Sequence, residues 1–207
     1  MLQVQKISRE VVGPGPIDPS ETTRRSPFSR KEIEAYLQGA LHDASRNKRT
    51  RIRFVQKGSE WLDVLKDLLA VLGYKSWMYR EGKDREVYAL ETTARFLDFD
   101  LNPMGLDERE QAAYIRGFFD AEGGIPRRRQ SKFYIQLVQK DPKKIAKLKT
   151  MLAAMNISSG VIHNPSERVD PDYWRIFIST KSHCQFVQII GSWHPRKYAT
   201  LRERMMI

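Results

Sequence analysis

The apolar positions of this chain follow a helical period, then a strand period, then a helical period again, and the whole pattern occurs twice. In the first copy a helix is predicted over about 29–44. Ile52 and Phe54 then alternate with Arg51 and Arg53, and Trp61, Leu65, Leu68 and Leu72 form a stripe that stops at Gly73. In the second copy a helix is predicted over 107–121. Phe133, Ile135 and Leu137 alternate with Tyr134 and Gln136, and Ile145, Leu148, Met151, Leu152 and Met155 form the matching stripe after Asp141-Pro142. Period two puts one strand face in a core and the other in solvent, and the 3–4 spacing does the same for a helix. Hairpin-like strands close each copy, at 74–80 and 85–90 around Gly82 and at 160–164 and 173–179 around Pro165 and Pro171.

The two copies keep a constant spacing. Ser29 with Glu32, and Asp107 with Glu110, have the spacing of a capping box, in which each side chain satisfies an orphan amide of the first turn. Tyr36 and Gly39 recur as Tyr114 and Gly117 at an offset of 78, and Phe54-Val55-Gln56-Lys57 recurs as Leu137-Val138-Gln139-Lys140 at an offset of 83. The change of offset places five missing residues early in the first copy. A repeat this steady implies a mixed α/β (α+β) chain of two pseudo-symmetric αββαββ units. The units span 29–106 and 107–195, after an arm of residues 1–28 whose prolines and glycines break any period, and before a tail of 196–207. Small residues every fourth position, Ala35 and Gly39 in one helix and Ala113, Gly117 and Ala121 in the other, predict that the two first helices pack backbone to backbone. Two related halves in one chain suit a partner with its own approximate two-fold, as duplex DNA has, and predict a monomer.

Charge narrows the partner. Lys and Arg number 36 against 25 Asp and Glu, a formal charge of +11, which favours a polyanion and nucleic acid before a membrane surface. The basic residues cluster at equivalent places. Arg46, Lys48, Arg49, Arg51 and Arg53 follow the first helix of one copy, while Arg127, Arg128, Arg129 and Lys132, with Tyr134 and Gln136, follow that of the other. Arg80, Lys83, Arg85 and Arg175 extend the surface. Most of these would neutralise phosphates, and Arg51, Arg53, Tyr134 and Gln136 would read base edges. Cys184 is the single cysteine and the four histidines lack zinc spacing, which points to a reducing, cytoplasmic setting with no thiolate metal site. No stretch approaches the roughly 18 apolar residues of a membrane span, and no secretory signal opens the sequence.

The chemistry concentrates at Ile115-Arg116-Gly117-Phe118-Phe119-Asp120-Ala121-Glu122-Gly123. An acid at a helix end followed by glycine can hold a divalent metal where the chain turns sharply. This segment resembles the motif of the LAGLIDADG homing endonuclease family at Gly117, Asp120, Ala121, Glu122 and Gly123, and the resemblance covers about residues 29–195. It implies two motif helices side by side, sheets forming a saddle over DNA, and one metal-binding acid from each half with Mg2+ or Mn2+ as cofactor. It further implies that Gln56-Lys57 and Gln139-Lys140 flank the cleavage centre, so that Glu122, Lys140, Gln139, Lys57 and Gln56 form the catalytic set.

The first copy departs from the motif. Aligned on tyrosine and glycine, Glu122 falls opposite Ala44, which can offer only its backbone, and the nearest acid, Asp43, stands one residue early. One residue turns a helix by about 100°, which aims Asp43 at the helix interface unless the helix loosens there. The expectation is a site-specific duplex endonuclease with an asymmetric centre, reduced to nicking. A cleavage-deficient DNA-binding protein and an RNA-binding splicing helper for an intron are the alternatives.

Overall fold

The computed structural model describes residues 28–48, 50–82 and 85–205, so most of the arm, together with Arg49 and Lys83, lies outside the described residues. The first unit runs α1 (Arg30–Ala40), β1 (Ala44–Asn47), β2 (Arg51–Lys57), α2 (Glu60–Val71), β3 (Ser76–Glu81) and β4 (Val87–Thr92). Both expected capping boxes form. Ser29 and Glu32 exchange backbone-to-side-chain hydrogen bonds at the start of α1, and Asp107 and Glu110 do so at the start of α3 (Glu108–Glu122). The second unit continues with β5 (Gly123–Gly124), β6 (Gln136–Gln139), α4 (Pro142–Ala154), β7 (Trp174–Phe177), α5 (His183–Ile189) and α6 (Pro195–Met205).

The first sheet has the antiparallel order β1-β2-β4-β3 and the second the order β5-β6-β7. The equivalent of β3 is reduced to isolated bridges, Ser159 with Ile178 and His163 with Arg175. The strand expected at 160–164 is thus an interrupted edge. Pro165 and Pro171, which cannot donate to a ladder, bound the irregular loop that replaces a tight hairpin. Alternation holds as expected: Ile52, Phe54, Leu137 and Ile176 are buried, while Arg51, Arg53, Gln136 and Arg175 are only half-buried. Helix α2 covers the inner face of the first sheet through Trp61, Leu62, Leu65, Leu68 and Leu69. Helix α4 does the same for the second through Ile145, Leu148, Met151 and Leu152.

The two units meet at α1 and α3, whose buried small residues Ala35, Gly39, Ala113 and Gly117 face one another. A Cβ on Gly39 would overlap the carbonyl oxygen of Tyr114 and come within 2.8 Å of the Phe118 nitrogen. A Cβ on Gly117 would overlap the carbonyl of Tyr36 and come within 2.9 Å of the Ala40 nitrogen. The two clashes are images of each other under the exchange of Tyr36 with Tyr114, which is the internal two-fold expressed in atoms. The segment expected as a C-terminal tail is instead α6, with Lys197 and Leu201 buried. Phe28, the last residue of the expected arm, packs edge-on against Trp193 at 4.7 Å between ring centroids.

Neither helix can yield without separating the units, so Gly39→Ala and Gly117→Ala should each cost about 3 kcal/mol, the upper end of overpacking effects. Gly105→Ala, where an added Cβ meets open space, should leave the urea midpoint unchanged. Midpoints for all three variants, compared at constant slope, check this.

Candidate active centre

The ends of α1 and α3 carry the acids, and the two helices end differently. Helix α3 runs to Glu122 and is capped by Gly123, whose nitrogen donates to Phe119. Helix α1 stops at Ala40 and tightens into a single 3-10 turn over Leu41–Asp43. Three residues at a rise of about 2.0 Å reach as far as four at about 1.5 Å, so the first unit arrives at its strand one residue sooner. Strand pairing records the result: Ala44 lies opposite Phe54 as Gly123 lies opposite Leu137. Asp43 therefore corresponds to Glu122 and Ala44 to Gly123. The alignment that set Ala44 opposite Glu122 is off by one, and the residue without a counterpart is Ala121. Ala44 is a strand residue, so the first unit has kept its acid.

Gln56, on the inner face of β2 at its end, donates from Nε2 to Asp43 Oδ2. Burial and the charge of Glu122 push the Asp43 carboxyl up to about 7. Burial also raises Glu122, against the opposing pull of Lys197 and Lys140. Gln139 takes a different partner. Its amide lies 3.0 Å from His42 Nδ1, and His42 Nε2 lies 2.7 Å from the Tyr114 hydroxyl. Burial, with the charge of Lys144, lowers His42 to about 4, so the neutral ring accepts from Gln139 at one nitrogen and donates to Tyr114 at the other. Lys57 and Lys140 are exposed at the strand ends.

Asp120 has no such access. It is buried and accepts from the Tyr36 hydroxyl (2.7 Å), the Ser192 hydroxyl and the backbone nitrogens of Trp193 (2.8 Å) and His194 (3.1 Å). Trp61 Nε1 donates to the same Tyr36 hydroxyl at 3.0 Å. This motif acid is a structural hub tying both units to the C-terminal segment. His42 occupies the corresponding place opposite Tyr114.

Lys197 was invisible to sequence reasoning. Helix α6 brings its ammonium to the C-terminus of α3, where it donates to the carbonyls of Phe119 and of Asp120 (2.9 Å). Burial pulls it down to about 8, while the charges of Asp120, Asp43 and Glu122 act in the opposite direction. A lone lysine in a charged C-terminal stretch carries no local signal of this role, since only the return path of the chain creates it.

Two carboxylates at the foot of the helices are hard oxygen donors of the kind magnesium and manganese accept. Among the described residues no group of three or more His, Cys, Asp or Glu could hold a metal, so backbone, water or phosphate oxygens would complete the shell.

The outward faces of the sheets carry the expected basic residues, with partners the sequence did not disclose. Arg51 pairs with Glu91 at 3.2 Å and lies over the Trp77 ring, and Arg53 pairs with Glu81. Glu91 also accepts from Asn47 (2.6 Å) and Tyr79 (3.0 Å). On the second sheet, Arg175 lies 5.0 Å over Phe177, whose ring meets Tyr134 edge-on, and Gln136 is the strand partner of Phe177. Arg46 lies over Phe99, Arg80 donates to the Arg85 carbonyl, and Arg129 pairs with Glu203. Lys48, Arg85, Arg127, Arg128 and Lys132 are exposed.

A family model described as a LAGLIDADG-like domain matches residues 109–191, within the second unit. No curated protein matches the chain. Solved structures match across both units. A structure of I-DmoI in complex with DNA and Mn is 21% identical, covers 79% of this chain and 98% of its own, and has a TM-score of 0.59. Mesophilic variants of the homing endonuclease I-DmoI match at 21% identity over 85% of this chain and 100% of theirs, with a TM-score of 0.64. The N-terminal LAGLIDADG domain of DUF199/WhiA matches at 19% identity over 81% of this chain and 87% of its own, with a TM-score of 0.63. Identities this low speak for the fold alone, and the domain match speaks for the second unit. Residues 109–191 thus match a LAGLIDADG-like domain, and the two units together have the fold of the LAGLIDADG structures.

Proposed function

We propose that the chain is a metal-dependent, site-specific DNA endonuclease of the homing type, acting as a monomer on a long pseudo-palindromic duplex. The observation that carries this reading is the pair Asp43 and Glu122. One acid comes from the end of each central helix, and the two are close enough for the charge of Glu122 to raise Asp43. The solved structures of I-DmoI with DNA and Mn, and with DNA and Ca, concern a protein of the same fold. In this reading Asp43 and Glu122 hold magnesium or manganese. When bound, the ion supplies a lowered pKa to a coordinated water and neutralises charge on the phosphodiester. Gln56 fixes the rotamer of Asp43 through its hydrogen bond. Lys140 adds positive charge beside Glu122, and Lys197 holds the end of α3 in place. Gln139 orients His42 and, through it, Tyr114. With both acids present, the centre is suited to cutting both strands rather than to nicking alone. The half-exposed arginines and aromatics of the two sheets make phosphate and base contacts.

The test uses duplexes selected from a randomised pool on the purified protein, cloned into supercoiled plasmid and incubated with Mg2+ or Mn2+. Nicked and linear products are expected, and Glu122→Gln should slow their formation at least about 100-fold while leaving binding intact. Uncut plasmid despite tight binding would instead establish a cleavage-deficient DNA-binding protein. Tighter binding to structured intron RNA than to duplex would establish a splicing helper.

The acid pair also has a signature without DNA. The Asp43 carboxyl is raised from 3.8 to about 7 in the folded chain, so its contribution to stability is full below pH 4 and is lost as pH rises through 7. In metal-free buffer Asp43→Asn should therefore match the parent at low pH and exceed it above pH 7. The gain should be about 2 kcal/mol after discounting for solvent screening of a half-buried group. Denaturation at a series of pH values reads this, and a difference that does not vary with pH contradicts it.

A further inference from the structure

The loop after β5 and the first turn of α6 border an open pocket of about 390 Å3 that begins at Gly123, the residue after Glu122. Its lining includes the backbone of Gly123 and Gly124, the side chains of Arg127, Arg128 and Arg196, and at its rim Tyr134. Among the described residues none of these three arginines has an ion-pair partner, whereas the adjacent Arg129 pairs with Glu203 at 3.1 Å. The Arg127 charge acts on Arg196, so two guanidiniums are held within mutual repulsion and no carboxylate relieves them.

The walls are fixed rather than adaptable. Arg204 of α6 donates to the carbonyls of Arg129 and of Ser131 (2.8 Å), which ties the loop to the helix. Buried Leu201 and Lys197 tie the helix to the core, with Lys197 bonded to the end of α3. The arrangement therefore keeps uncompensated positive charge in place, a cost that a bound anion offsets. Planar guanidinium forks match the paired oxygens of a phosphate. Tyr134 continues the pocket onto the outward face of the second sheet, which makes the anion part of a larger polymer rather than a free ion.

We propose that the pocket formed by Arg127, Arg128 and Arg196 binds a backbone phosphate of duplex DNA beside Glu122, which makes α6 part of the DNA-binding surface. This rests on the endonuclease reading only for the identity of the polymer. It concerns binding and not cleavage. Among the described residues the first unit has no counterpart, because its β1–β2 connection is four residues shorter by strand register and no helix corresponding to α6 follows β4. The grip is accordingly one-sided.

The experiment is fluorescence anisotropy of the full chain with a labelled random-sequence duplex, titrated over KCl concentration. Arg127→Gln and Arg196→Gln should each weaken binding severalfold at equal salt. The double variant should lower the slope of log affinity against log salt by about 0.9, the value for one phosphate contact. Because one anion is shared, the double variant should lose less than the sum of the two singles. Lys66→Gln, an equal loss of charge at an exposed position of α2, should leave the slope unchanged. Arg127 lies in an exposed loop, so its variant keeps the test valid if Arg196→Gln disturbs α6. A parent-like slope in the double variant, with binding intact, overturns the inference and leaves the endonuclease reading standing. Absence of duplex binding by the parent overturns both. Displacement of the duplex by inorganic phosphate at constant ionic strength would reassign the pocket to the free ion and so overturn the proposal.

Discussion

Backbone contact between α1 and α3 is the constraint from which the rest of the architecture follows. Gly39 against the Tyr114 carbonyl, and Gly117 against the Tyr36 carbonyl, leave no room for a side chain at either crossing. Helices this close must end close together, and that brings two acids from distant parts of the chain to one place. The same contact joins the two units, each sheet having its inner face in the common core and its outer face polar. A substitution at either glycine would therefore act on the active centre and on the spacing of the binding faces together.

The internal two-fold is strict at that contact and fails a few residues on, and the failures are informative. Tyr36 donates to Asp120, while its image Tyr114 meets His42. The carboxylate side is sealed by Trp61, Ser192 and the Trp193–His194 backbone. The histidine side stays open to a cavity of about 380 Å3 lined in part by Lys143, Lys144 and Lys147. One helix ends in a 3-10 turn and the other in a full α-turn, yet both deliver an acid to the same register with their strands. Backbone winding compensated for a lost residue that side-chain alignment counts as a lost function.

Charge on the binding faces is arranged less simply than its sum suggests. The net +11 is compatible with a polyanionic partner, but Arg51 and Arg53 are held by Glu91 and Glu81, so contact with DNA must compete with those pairs. Glu81 is exposed, and a pair of that kind is worth at most about 1 kcal/mol, so Arg53 is released cheaply. Glu91 is buried and also accepts from Asn47 and Tyr79, so releasing Arg51 costs more. The uncompensated arginines are elsewhere, at the loop that α6 braces.

What could be read from the chain by itself was whatever repeats locally. The capping boxes at Ser29 and Asp107, the alternation of Ile52 and Phe54 with Arg51 and Arg53, the small-residue stripes and the acid-glycine ending at Glu122 all depend on neighbours within one turn or one strand. Those features were sufficient for two units, their order and one acid. Features that depend on chain segments far apart were not legible. Sequence spacing sets Ala44 opposite Glu122 because it assumes one rise per residue, and only the folded helix shows that Leu41–Asp43 is wound more tightly. Lys197 lies 75 residues beyond Glu122 and reaches the end of α3 only because α6 folds back. Arg53 and Glu81 are 28 residues apart and pair only because β2 and β3 flank β4 in one sheet. Local periodicity settles which element forms and which face it buries. Which charges meet is decided by the path of the chain between elements, and that exists only in the tertiary structure.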